Sequence, residues 1–149
     1  AFTQKEISYL NDAKSHEQLC IDKYNKYSAA AIAPELKGLF TNLAQKEQQH
    51  LNSINQLLSG TLPSVGGGQS GQQSMTAPVV NQSQQDKEDD KYLLQDALGT
   101  EKHVSSVYDT AIFEFKDSGV RNVLNHIQKE EQEHGDMLYK YMAANGMYS

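Results

Sequence analysis

One pattern, Glu-x6-Tyr-x22-Glu-x2-His, occurs twice in this chain without a gap, and the copies are offset by 84 residues. The first copy is Glu17, Tyr24, Glu47 and His50; the second is Glu101, Tyr108, Glu131 and His134. A repeat of that length limits the chain to architectures made of two like halves, and the apolar period inside each half says which. Apolar residues recur near every 3.6 positions rather than every 2, so each half reads as two helices. The expected fold class is all-α: a four-helix bundle built from two helical hairpins.

The hairpins are expected at about 3–59 and about 88–145, within a single domain, 149 residues being a usual domain size. Thr3 with Glu6 three residues later is a capping-box signature for the first helix. Its inner stripe runs Leu10, Ala13, Glu17, Cys20, Tyr24, Tyr27 or Ser28, and Ala31. Pro34 suits the first turn of the second helix, where its missing N–H is not needed. That helix shows Leu36, Leu39, Phe40, Leu43, Glu47, His50, Ile54 and Leu57, with Gly60 as its stop. The third stripe is Leu94, Ala97, Glu101, Val104, Tyr108, Ala111 and Phe115. After a turn at Asp117-Ser118-Gly119, the fourth is Val120, Val123, Leu124, Ile127, Glu131, His134, Leu138 and Tyr141. Three-residue turns make each hairpin antiparallel. The segment between, about 60–87, is rich in Gly, Gln and Ser, and reads as a flexible linker with no packed element of its own.

All six Glu and His residues of the repeat lie on apolar stripes. Glu47 and His50 share a face with Leu43 and Ile54, as do Glu131 and His134 with Ile127 and Leu138. Glu17 lies about 15 residues before the first turn and Glu47 about 14 after it, so both sit roughly 20 Å from that turn at 1.5 Å per residue. The second hairpin repeats this spacing, which brings four carboxylates and two imidazoles to one level. Ionised carboxylates in a bundle core lose hydration and repel one another, at several kcal/mol each. Two cations held by Glu17, Glu47, His50, Glu101, Glu131 and His134 would compensate, and iron or manganese suits this oxygen and nitrogen set. Tyr24 and Tyr108 are expected either to hydrogen-bond a ligand across the bundle or to pack as core aromatics. Cys20 reads as a buried small side chain or as a redox thiol, the first being favoured. His16, His103 and His126 fall off the pattern and read as surface residues. Asp12 and Asp96 read as solvated, the alternative being a bond to a histidine's second nitrogen.

Composition excludes some classes. A net charge of -6 and a pI near 5.3 leave no basic footprint for nucleic acid. No apolar signal segment is evident, and no apolar run is long enough to span a bilayer. The single cysteine cannot form an intramolecular disulfide, which suits a reducing compartment. A first residue other than Met points to processing or to a piece of a longer chain.

The doubled motif resembles the ferritin-like superfamily, rubrerythrin-type domains in particular, over nearly the whole chain apart from the linker. The second block also resembles the coat F family of spore coat proteins. The residues that carry this likeness are Glu101-Lys102-His103, Tyr108, Glu130-Glu131-Gln132-Glu133-His134 and Gly146-Met147-Tyr148. The superfamily resemblance implies a long crossover between parallel second and third helices. About 28 linker residues could extend to roughly 90 Å, against a bundle of about 40 Å. It also implies a di-iron or di-manganese centre acting on O2 or hydrogen peroxide. The alternatives are a structural spore coat protein, with metals as staples, and an iron-handling ferroxidase. Where rubrerythrins carry a further glutamate, Leu98 and Val104 flank Glu101. The paired cysteines of a rubredoxin-type domain are absent, so a peroxidase here would need an external electron donor. The linker would also permit a homodimer with exchanged hairpins. The implied location is the cytoplasm or the spore coat of a spore-forming bacterium.

Overall fold

The computed structural model describes residues 1–65 and 76–147. The described residues form four helices: α1 (Gln4–Ala30), α2 (Pro34–Leu58), α3 (Gln84–Ile112) and α4 (Ser118–Ala144). No strand occurs among the described residues. Three of these helices begin at a side chain that satisfies their first N–H groups. The Thr3 hydroxyl accepts from Glu6 N at 3.1 Å, and Thr3 N donates to the Glu6 carboxylate at 3.0 Å, completing the expected capping box. Ala33 precedes α2 without a side-chain cap, and Pro34 opens that helix. Ser83 caps α3 by accepting from Asp86 N at 3.1 Å. Asp117 caps α4 by accepting from Gly119 N and Val120 N.

The last helix of each hairpin ends in the same way. Gly60 and Gly146 adopt φ of +91° and +65°. The next residue then donates back to the final turn, Thr61 N to Gln56 O and Met147 N to Met142 O. Only glycine enters that left-handed conformation without a Cβ clash, so each helix stops there.

The two hairpins pack so that α2 and α3 run parallel. Asp90, in the second turn of α3 and fully buried, accepts from Ile32 N at 2.8 Å and Ala33 N at 3.1 Å. The start of α3 is thereby pinned to the α1–α2 turn. At the opposite end, Leu62 beyond α2 lies against Gly119 at the start of α4. The chain must therefore cross the length of the bundle between α2 and α3, as expected of a ferritin-like crossover.

Three expectations need correction. The α3–α4 connection spans five residues, 113–117, not three, and Ser118 and Gly119 are already helical. Phe115 lies in this connection, not in α3, yet it is buried and stacks edge-on with Phe2. It kept the apolar period because it still points into the core. The crossover, moreover, is tied down in its described flanks: Asn145 accepts from Val80 N and donates to Pro78 O, and Pro63 is buried. Residues 66–75 of the expected linker, and Tyr148, fall outside the described residues.

The core is layered. One apolar cluster, with Leu10, Ile54, Leu57, Val123, Leu124 and Ile127, fills the end near the α3–α4 connection. A second, with Tyr24, Leu36, Phe40, Leu43, Leu94 and Leu138, fills the end near the α1–α2 turn. Burying each large side chain contributes about 1.5–3 kcal/mol. Between them lies a polar layer.

Candidate metal centre

All six repeat residues meet in that layer. Each helix presents its polar residues between apolar neighbours one turn away on either side, so the faces that bury Leu43 and Ile54, or Ile127 and Leu138, carry the ligand candidates inward too. Glu17, Glu47, His50, Glu101, Glu131 and His134 are each exposed by 2% or less, which excludes solvent as the partner of their charges. Two overlapping groups form: Glu17, Glu47, His50 and Glu131, and Glu47, Glu101, Glu131 and His134, with one ligand atom per residue lying within 4.8 Å of the others in its group. Glu47 and Glu131 belong to both. The imidazoles stack across the layer with centroids 5.7 Å apart.

Both histidines turn Nδ1 inward. His50 Nδ1 lies 2.9 Å from Glu47 Oε1 and 3.3 Å from Glu131 Oε2. His134 Nδ1 lies 3.2 Å from Glu47 Oε2, 3.3 Å from Glu101 Oε2 and 3.2 Å from Glu131 Oε1. The Glu131 contacts are ion-pair distances without hydrogen-bond geometry. Both Glu131 oxygens, together with Glu17 Oε1 and Glu101 Oε1, are buried with no hydrogen bond. Buried carboxylate oxygens without a hydrogen bond, in two groups that each include a histidine nitrogen, are what divalent cations would satisfy, so the donor set fits bound metal.

Charge in the layer shows the same deficit. Burial pushes the Glu17 carboxyl up to about 7, with the Glu47 charge adding to it. Burial, then the charges of Glu101, Glu17 and Glu47, raises Glu131 well above the usual range. Burial also opposes ionisation of Glu47, but hydrogen bonds from His134 and His50 outweigh it and hold that group well below its ordinary value. Burial likewise disfavours the charged imidazoles, yet the surrounding carboxylates raise both His50 and His134. Without metal the layer takes up protons. Protons on Glu131, on Glu17 and on the two histidines stand in that state where cations would otherwise stand.

The tyrosines occupy the hydrogen-bonding role, and they do so crosswise. Tyr108 on α3 donates to Glu17 Oε2 on α1 at 2.6 Å, and Tyr24 on α1 donates to Glu101 Oε2 on α3. Burial, and then carboxylate charge, raises both phenols well above 10, so they remain donors. Cys20 is fully buried, and burial pushes its thiol up, which suits the small-side-chain role.

The residues off the pattern divide. His103 is exposed, and half-buried His16 touches it edge-on and sits 3.7 Å from Asp12. Asp96 is exposed and accepts from the Tyr27 phenol, and neither aspartate reaches a ligand histidine. His126 is not simply a surface residue. Its Nε2 lies 3.3 Å from Glu130 Oε2, and Glu130 Oε1 lies 2.7 Å from His50 Nε2. Reading the inner stripe missed Glu130 because it precedes Glu131 and so lies about 100° around the helix. The available signal was the His126–Glu130 pair at i,i+4, which places an acid beside an imidazole on one flank. A cleft of about 300 Å³ opens beside Glu130 and His126 and reaches His50.

Residues 89–149 match the Coat F domain family. The whole chain superposes with TM-score 0.75 and 17% identity on part of a two-domain protein from Anabaena variabilis that contains DJ-1/ThiJ/PfpI-like and ferritin-like domains. The match takes in 100% of this chain but only 39% of that one. No curated protein matches. Among the described residues no helix is long and apolar enough to cross a membrane.

Proposed function

Taking the chain as a ferritin-like protein whose second hairpin matches the Coat F domain, we propose that it is a dinuclear metal protein that reduces O2 or hydrogen peroxide at its polar layer. The observation that carries the reading is the set of four buried carboxylate oxygens without a hydrogen bond, in a layer that two inward Nδ1 atoms share. Two divalent ions would match the charge of four carboxylates, and the histidines would then serve as neutral ligands. Glu47 and Glu131 stand where both positions can share them; Glu17 with His50, and Glu101 with His134, complete one position each. Bound iron or manganese would supply one-electron steps between +2 and +3 states and polarise a small oxidant.

The chain's own residues do the rest. Tyr108 and Tyr24 hold one oxygen of Glu17 and of Glu101, leaving the other oxygen free for an ion. The apolar clusters on either side keep bulk water away. The cleft beside His50 is the approach that a small oxidant would use. Electrons would come from an external donor.

The test is to load the protein anaerobically with ferrous or manganous ions and add hydrogen peroxide or O2. A change in the visible spectrum at about one oxidant per pair of ions is expected. The match of residues 89–149 to the Coat F domain favours a second reading, a structural component of a spore coat in which the ions staple the hairpins. Loaded protein inert to both oxidants would select that reading, and consumption of many ferrous ions per chain would instead indicate iron handling.

A further inference from the structure

The repeat makes the polar layer nearly twofold symmetric, so any departure from symmetry around it is informative. His50 Nε2 meets Glu130 at 2.7 Å, and Glu130 is held in turn by His126 on its other oxygen. Glu130 is anchored from both sides and largely buried, with 12% of its side chain exposed. The position 84 residues earlier, which should serve His134 in the same way, is Lys46, and the counterpart of His126 is Asn42. A lysine ammonium has no lone pair to accept an imidazole N–H. All ion pairs of His134 run through Nδ1, and no carboxylate among the described residues pairs with its Nε2.

A carboxylate on the outer nitrogen keeps the proton there. It thereby leaves the inner nitrogen as a lone-pair donor, orients the ring and raises its basicity as a ligand. Only one of the two histidines has this support.

We propose that Glu130 makes the two metal positions unequal, so that the position of Glu17, Glu47, His50 and Glu131 fills first and the position of Glu47, Glu101, Glu131 and His134 fills second. Glu130 is a positioning residue, acting through His50. The inference rests on the dinuclear reading above and adds an order of filling to it.

Cobalt(II) titration of the metal-free full chain, followed by visible absorption and calorimetry, tests this. Two resolved steps are expected in the unaltered protein, the first at least about 10-fold tighter. Glu130→Gln, nearly isosteric, should weaken the first step by about 10–100-fold and bring the two together. Lys46→Glu, which places a carboxylate at the matched position, should tighten the second step instead. Imidazole nitrogen NMR of the metal-free Glu130→Gln protein, taken at a pH above the raised values of both histidines so that the rings are neutral, gives a readout independent of metal. Against the unaltered protein, the proton preference for His50 Nε2 should fall, while His134 is unchanged. Two equal steps in the unaltered protein, or a first step indifferent to Glu130→Gln, would overturn the order of filling and leave the dinuclear reading standing. No cobalt uptake at all would overturn both.

Discussion

The apolar clusters at the two ends of the bundle and the polar layer between them are built on the same helix faces but obey opposite rules. In the end layers, burial is its own reward: Phe40, Leu43, Leu124 and Ile127 are fully buried in apolar surroundings, and each stabilises the fold. In the middle layer, burial works against every group present. Four carboxylates there share a dry space, four of their oxygens have no hydrogen bond, and the imidazoles that partly neutralise them are drawn toward protonation. Stability alone would have filled these positions with leucine. A layer that weakens the metal-free bundle points to a function that needs it.

This contrast can be broken most forcefully by truncation in the two layers. Phe40→Ala should destabilise by about 3–5 kcal/mol with or without metal, because it leaves a cavity in a closed apolar layer. Glu131→Leu should do the reverse in metal-free protein, leaving stability unchanged or raising it by about 1–3 kcal/mol while metal uptake collapses, because it removes a buried carboxyl that has no hydrogen bond. Denaturant midpoints measured on chelated samples check both, and a large loss in Glu131→Leu would show that the polar layer supports the fold by itself. Tyr108→Phe removes the donor from a buried carboxylate oxygen and should cost about 1–3 kcal/mol when Glu17 is ionised. If its melting temperature stayed at the unaltered value, the crosswise tyrosines would be packing residues only.

The gentlest effect is graded in pH. Glu17 and Glu131 are raised above the ordinary 4.5, so the metal-free folded state binds more protons than the unfolded chain above that pH. Their effect is a stability that declines as pH rises, for Glu17 over the window from 4.5 to about 7. His50 and His134 are raised above 6.5, so what they contribute is full below that value and is lost as pH climbs through their folded values. Both slopes have one sign. Metal-free protein should be less stable at about pH 8 than at about pH 5, whereas loaded protein, with cations in place of protons, should resist the change.

How much of this the sequence carries differs between the layers too. The ligand candidates were legible because a charged residue on an apolar stripe is conspicuous, and twice over when the stripe repeats. The capping box at Thr3 and Glu6 and the stop at Gly60 were legible because their chemistry is local. Asp90 was not. It closes the α1–α2 turn from a helix 57 residues away, a contact no local pattern announces. Glu130 was hidden for a geometric reason, lying off the inner stripe yet within reach of α2. Phe115 misled in the other direction, since its burial continues the helical period after the helix has ended. The crossover looked like bare linker because its composition is polar and small, while the ties that hold 78 and 80 come from Asn145 on the far side of the chain.

Elemental analysis of protein purified without chelators, alongside a Glu47→Ala, Glu131→Ala double variant, tests the central claim most directly. Both shared carboxylates are lost in that variant, so about two iron or manganese ions per chain should fall to none while the helical content is kept. Protein that carries no transition metal, or a variant that carries as much as the parent, would contradict a metal centre at this layer.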